Sequence, residues 1–325
     1  MKKNISIIIS IALLLLFTGC SAGTGGQQSG FELDSFNGGD KALTMEFGEQ
    51  SPPEKIRDQS LQPFTVRLLI ENHGEYDIPE GKAHVKLTGF DPQDLNLSDT
   101  SKTLNELRGF KKQGSNTIPG AKQQVTFDNL KYVNSVVSGT YPFKFYANIC
   151  YPYETKAFIL ACINGNTVPS IDEKTQICKL EGSKKYANSG APVKIENVQQ
   201  YPYGKHSIQI QFDIVHKPTS DQANIYQSNT LDENCNINGI SPSSSDALFK
   251  KDKVTYIVNS SIEGLNCEST GTNTNTVTLS DNKYTVTCVQ DTTGEEEYEK
   301  PVTVRLKYDY LDRKSKTINV EHIQQ

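Results

Sequence analysis

The stretch HSIQIQFDIV, residues 206–215, sets Ile208, Ile210, Phe212 and Ile214 at every second position. Only an extended chain turns alternate side chains to one face, so this pattern specifies a half-buried strand and excludes a helix. The same period recurs elsewhere. PFTVRLLIE (63–71) places Phe64, Val66, Leu68 and Ile70 on one face, and YPFKFYANIC (141–150) does so with Tyr141, Phe143, Phe145, Ala147 and Ile149. AHVKL (83–87), QVTF (124–127), VTYIVN (254–259) and TVTL (276–279) read as further strands. So do YTVTCV (284–289), PVTVRLKYDY (301–310) and KTINV (316–320). TKAFILACI (155–163) is apolar at both parities, as a strand covered on both faces is. Ser280-Asp281-Asn282-Lys283 reads as a hairpin turn, and YPYE (151–154) as another turn before TKAFILACI. The one helical candidate lies at 103–109, where Thr103 and Glu106 have capping-box spacing and Gly109 ends the run.

Closely spaced strands with almost no helix predict an all-β fold. We expect two tandem immunoglobulin-like β-sandwich domains, residues 41–188 and 189–325, with SGAPVKIENV (189–198) leading into the second. Ahead of them Lys2 and Lys3 precede an uncharged, mostly apolar stretch from Asn4 to Phe17. That stretch has signal-peptide length and falls short of the roughly 20 residues a spanning helix needs. It ends at Phe17-Thr18-Gly19-Cys20, which resembles the lipobox of prokaryotic lipoproteins, with Phe17 where leucine is usual. The resemblance implies that residues 1–19 are a signal peptide and that the Cys20 thiol is lipidated. Two or three acyl chains, at about 0.8 kcal/mol per buried methylene, hold a protein firmly in a bilayer. Residues 20–40 are rich in Gly, Ser and Gln, the composition of a flexible tether.

Without Lys2 and Lys3 the 33 basic residues become 31 against 38 acidic ones, a net charge of −7. An acidic chain with no basic stripe is a poor partner for nucleic acid. Of seven cysteines, six remain once Cys20 is assigned to lipid: Cys150, Cys162, Cys178, Cys235, Cys267 and Cys288. An even set in an exported chain reads as disulfides, and no pair has the C-x-x-C spacing of a metal site. Cys288 shares its strand face with Tyr284 and Val286, and Cys267 shares one with Leu265, so a Cys267–Cys288 bridge is favoured. Cys162 and Cys178 flank a polar loop that they can close. Three cysteines lie on each side of residue 188, so either one bridge crosses, with Cys150–Cys235 a candidate, or a thiol on each side stays free.

No catalytic constellation is visible. Five histidines stand singly, no G-x-S-x-G elbow occurs, and no glycine-rich loop opens a helix. His73 in its Asn-His-Gly turn reads as a surface residue. The acidic run Glu295-Glu296-Glu297 near Asp291 lacks the interleaved pattern of a calcium loop and reads as solvated. No cofactor or metal is expected. Asn96 and Asn259 fit the N-glycosylation pattern.

The order SPPEKI, PFTVRLLIENHGEYDI, TFDNL, ICYPYETKAFILACI and SGAPVKI resembles cell-surface lipoproteins of archaea with small genomes. Within it, PFTVRLLIENHGEYDI resembles the opening strands of cell-adhesion-related, immunoglobulin-like modules. The resemblance spans about residues 43–310 and implies location and fold rather than a reaction. The expectation is a non-enzymatic, lipid-anchored protein facing the extracellular or periplasmic side of the cell membrane. It would act by binding, as a structural, adhesive or accessory subunit with an envelope or surface partner. The alternative is a ligand- or solute-capturing lipoprotein serving a membrane transporter. An envelope hydrolase, lacking any visible nucleophile, comes third.

Overall fold

Burial follows sequence parity. Phe64, Val66, Leu68 and Ile70 are buried while Arg67, Leu69 and Thr65 face outward, and Ile208, Ile210, Phe212 and Ile214 are likewise inside. A computed structural model describes residues 36–114, 116–168, 176–237, 248–267 and 273–322. Cys20, the leader and the tether as far as residue 35 lie outside the described residues.

The first strands are β1 (Leu43–Phe47), β2 (Lys55–Arg57), β3 (Phe64–Asn72), β4 (His84–Thr88) and β5 (Ser101–Thr103). Next come β6 (Lys111–Gln113), β7 (Asn116–Ile118), β8 (Lys122–Leu130) and β9 (Thr140–Ile163). They are followed by β10 (Gly182–Ser183), β11 (Tyr186–Asn188), β12 (Val193–Pro202), β13 (Ser207–His216) and β14 (Asn224–Gln227). The last are β15 (Lys253–Asn259), β16 (Leu265–Cys267), β17 (Thr274–Thr278), β18 (Lys283–Asp291) and β19 (Tyr298–Glu321). The chain is all-β, in several antiparallel sheets that do not close into a barrel. Among the described residues no helix is long and apolar enough to cross a membrane.

Two 24-residue strands, β9 and β19, carry the architecture, pairing antiparallel from Ile163↔Tyr298 to Thr140↔Glu321. They form the middle of a long sheet ordered β17-β15-β19-β9-β4-β5. At one end the sheet β1-β3-β8 packs on it, Phe47 meeting Phe145 edge-on and Lys102 lying over the Phe127 ring. At the other end it meets the sheet β10-β12-β13-β18-β16. There Thr155 Oγ1 donates to Val193 O, and Gln200 bonds both backbone groups of Cys162. One apolar core runs through both ends. Leu33–Gln325 forms one compact unit, and the expected boundary near 188 falls inside it, between β11 and β12.

Three local expectations are corrected. Residues 103–109 are not helical: Leu104 N donates to Ala83 O and Leu107 bridges Ile78, so strand contacts outweigh the capping signal. Among the described residues the capped helical turn is a 3-10 turn at Pro92–Leu95, capped by Asp91. YPYE is not a turn but the middle of β9. Pro152 falls between the segments paired with β4 (up to Cys150) and with β11 (from Ala157), where β9 has no strand on that edge. A proline there costs no ladder bond on that edge. PVTVRLKYDY and KTINV are likewise one strand, the charged residues between them continuing the ladder with β9. The Ser280–Lys283 hairpin is present, with Asp281 and Asn282 both in the left-handed region (φ 50° and 63°), as a two-residue turn requires.

Candidate functional site

Midway along β9 and β19, the loop 228–237 lies across the outer face of the long sheet. Val85, Leu87, Ala147 and Ile149 point to the core, so Lys86, Asn148, Cys150 and, on β19, Asp309, Leu311 and Arg313 point outward. The loop is pinned at several points. Asn229, Thr230 and Leu231 donate their backbone N–H groups to the Asp309 carboxylate at 3.1, 2.6 and 2.8 Å. Asp309 is buried beneath them, and burial pushes its carboxyl up while the three N–H donors pull it back. Asp232 Oδ1 accepts from Asn234 N and Asn236 N, folding the loop tip on itself, and Ser101 Oγ ties Glu233 O from β5. The Cys150–Cys235 disulfide then fastens the tip to β9, beside a small apolar cluster of Tyr226, Ile237 and Leu311.

Clefts flank this loop. One, of about 150 Å³, lies between Asn234, Cys235 and Asn236 on the loop and Lys86, Asn148 and Arg313 on the sheet. Another, of about 240 Å³, lies on the far side, walled by Tyr76, Lys82, Glu154, Asn229 and Lys307. There Glu154 is already held by Arg305 in a bidentate pair at 2.7 and 2.8 Å. Under this face sits a tyrosine cluster. Tyr151, Tyr153, Tyr308 and Tyr310 are buried, with Tyr153 Oη donating to Gly190 O and Tyr151 Oη accepting from Leu43 N. Burial pushes the hydroxyls of all four up, so they stay neutral hydrogen-bonding groups.

All six cysteines of the folded part are joined, as Cys150–Cys235, Cys162–Cys178 and Cys267–Cys288. Cys267 and Cys288 face each other across β16 and β18, and both are buried. Cys162–Cys178 closes its polar loop, which Glu297 also holds by accepting from Ile177 N and Cys178 N. Cys162, Cys178 and Glu297 place metal-ligand atom types within 4.8 Å of one another, but the two sulfurs are spent on each other and offer no thiolate. Asn96 and Asn259 are exposed, Asn96 in the left-handed conformation after the 3-10 turn. The pinned loop and its Asp309 anchor had no sequence signal. KYDYLDR puts Asp309, Leu311 and Arg313 on one parity but does not say which loop covers them.

No family model matches the chain, and no curated protein matches it. Among solved structures it is similar, at 11% identity and a TM-score of 0.17, to the secreted serine protease VesC from Vibrio cholerae. The match covers 81% of this chain and 49% of that one, so the chain spans about half its length. A likeness this low carries no argument.

Proposed function

We propose that this chain is a lipid-anchored extracytoplasmic protein, tethered through Cys20, whose immunoglobulin-like sandwiches act by binding and not by catalysis. It serves as a structural, adhesive or accessory subunit of an envelope complex. The observation that carries this reading is the loop 228–237, fixed by Asp309 and by Cys150–Cys235 on the outer sheet face. A loop held this firmly loses little entropy on meeting a partner. Three disulfides support an oxidising compartment outside the cytoplasm. A second reading, capture of a small solute for a membrane transporter, is favoured by the polar cleft beside the loop.

Two measurements test the proposal. Cys20→Ser is expected to release the protein from the membrane fraction into the medium, and retention sinks the anchor. Cross-linking on intact cells with mass spectrometry is expected to join the loop 228–237 to one envelope protein. Links scattered over the surface with none through this loop count against it.

A further inference from the structure

Lys86, Asn148 and Arg313 lie in one row across β4, β9 and β19, each the register partner of the next. Asn148, almost fully buried, organises the row. Its Nδ2 donates to Lys86 O at 3.1 Å and Thr88 Oγ1 at 2.8 Å, and its Oδ1 accepts from Arg313 Nε at 2.7 Å. The Arg313 guanidinium also lies 5.2 Å from the Tyr146 ring centroid. With Nε tied to Asn148 and the guanidinium beside a ring, the side chain is held in place and its outer N–H edge is turned to a ligand. Thr88 Oγ1 accepts from Asn148, so its own hydroxyl proton is left to donate.

Among the described residues, Arg305 on the same face holds Glu154 and Lys314 holds Glu46, whereas Lys86 and Arg313 have no carboxylate within ion-pair distance. Asp232, on the facing loop, spends an oxygen on its own backbone. In a chain of net charge −5, two such cations lining one partly enclosed cleft are unusual. Their strands are two spacings apart, about 10 Å, which long side chains close onto a group of a few atoms. Asn234 and Asn236 face them across the cleft.

We propose that this cleft binds an oxyanion: the carboxylate, sulfate or phosphate group of a small ligand or of a partner's exposed end. Arg313 takes two oxygens through its outer edge, Lys86 supplies the second charge, and Thr88 adds a neutral donor. The 150 Å³ cleft admits the anionic group and leaves the rest of the ligand outside. The assignment rests on the binding reading above and names the chemistry of that site.

The test is isothermal titration calorimetry of the full chain in detergent at fixed ionic strength, with sodium phosphate, sulfate, acetate and glucuronate as probes. Saturable one-to-one binding of at least one probe is expected, weakened at least tenfold by Arg313→Gln and by Lys86→Gln. Lys205→Gln, at an exposed lysine elsewhere, is expected to leave it unchanged. Preference for acetate and glucuronate identifies a carboxylate ligand, and preference for phosphate or sulfate a tetrahedral one. Thermal melting checks each variant's fold, and Lys86→Gln decides if Arg313→Gln fails to fold. Absence of saturable binding by every probe, or equal binding by folded variants, overturns the assignment. If cellular cross-links through the loop 228–237 persist in that case, the anion assignment falls alone and the binding reading stands.

Discussion

His216, at the end of β13, is buried, its ring edge-on to Tyr310 and its Nδ1 3.3 Å from Asn282 Oδ1. Burial pushes its pKa from the usual 6.5 down to about 4, with the Asn282 contact opposing. The unfolded chain therefore takes up a proton near pH 6.5 that the folded chain refuses until about pH 4. Stability contributed by the neutral ring is intact above pH 6.5 and is lost as pH falls through this window, by about 3 kcal/mol in all. Urea midpoints at pH 7 and pH 4.5 are expected to differ less in His216→Gln than in the parent. Identical pH dependence would refute the assignment. The sequence shows five single histidines and cannot rank them, because a pKa depends on neighbours that only folding supplies.

β9 shows where a local rule gives way. Tyr151-Pro152-Tyr153 has turn composition, yet both tyrosines are core residues and Pro152 sits at a gap in the sheet edge. The turn after β3 docks on this segment, with Gly74 against Tyr153 and Gly190. A Cβ on Gly74 would lie 1.8 Å from Tyr153 Oη and 2.6 Å from Gly190 O, so Gly74→Ala must displace a buried tyrosine and its hydrogen bond. A loss of about 3 kcal/mol is expected in denaturant unfolding. A loss below about 0.5 kcal/mol, the size of an ordinary surface change, would show that this contact is not held. The faces of β3, β13 and β18 were legible because each strand is buried on one side. The junction was not, because a glycine in Asn-His-Gly looks the same at a free turn and at a docked one.

Because β9 and β19 pair along their whole length, the two ends of the molecule share backbone hydrogen bonds as well as side-chain packing. Leu33–Gln325 is accordingly expected to unfold in a single calorimetric transition with equal calorimetric and van't Hoff enthalpies. Two resolved transitions would show that the shared sheet does not couple its ends. Cys150–Cys235 closes a separation of 85 residues, worth about 4.5 kcal/mol by loop entropy. Replacing both cysteines with serine is expected to lower the melting temperature by roughly 10 °C. Amide exchange in the loop 229–231 should rise only modestly, since Asp309 still holds it. An unchanged melting temperature would show that the bridge constrains little.

Alternation by itself determined that the chain is all-β, which side chains face the core, and that Cys267 and Cys288 share an interior. It rests on steric geometry within a few residues, which sequence order carries in full. Which strands become neighbours was decided only by the tertiary structure. Strand pairing joins backbone groups common to every residue, so β9 and β19 carry no local mark of each other across more than a hundred residues. The row of Lys86, Asn148 and Arg313, the Asp309 anchor and the pinned loop all follow from that pairing. They come from four distant segments, and a side chain acquires such neighbours only once the core has chosen the register.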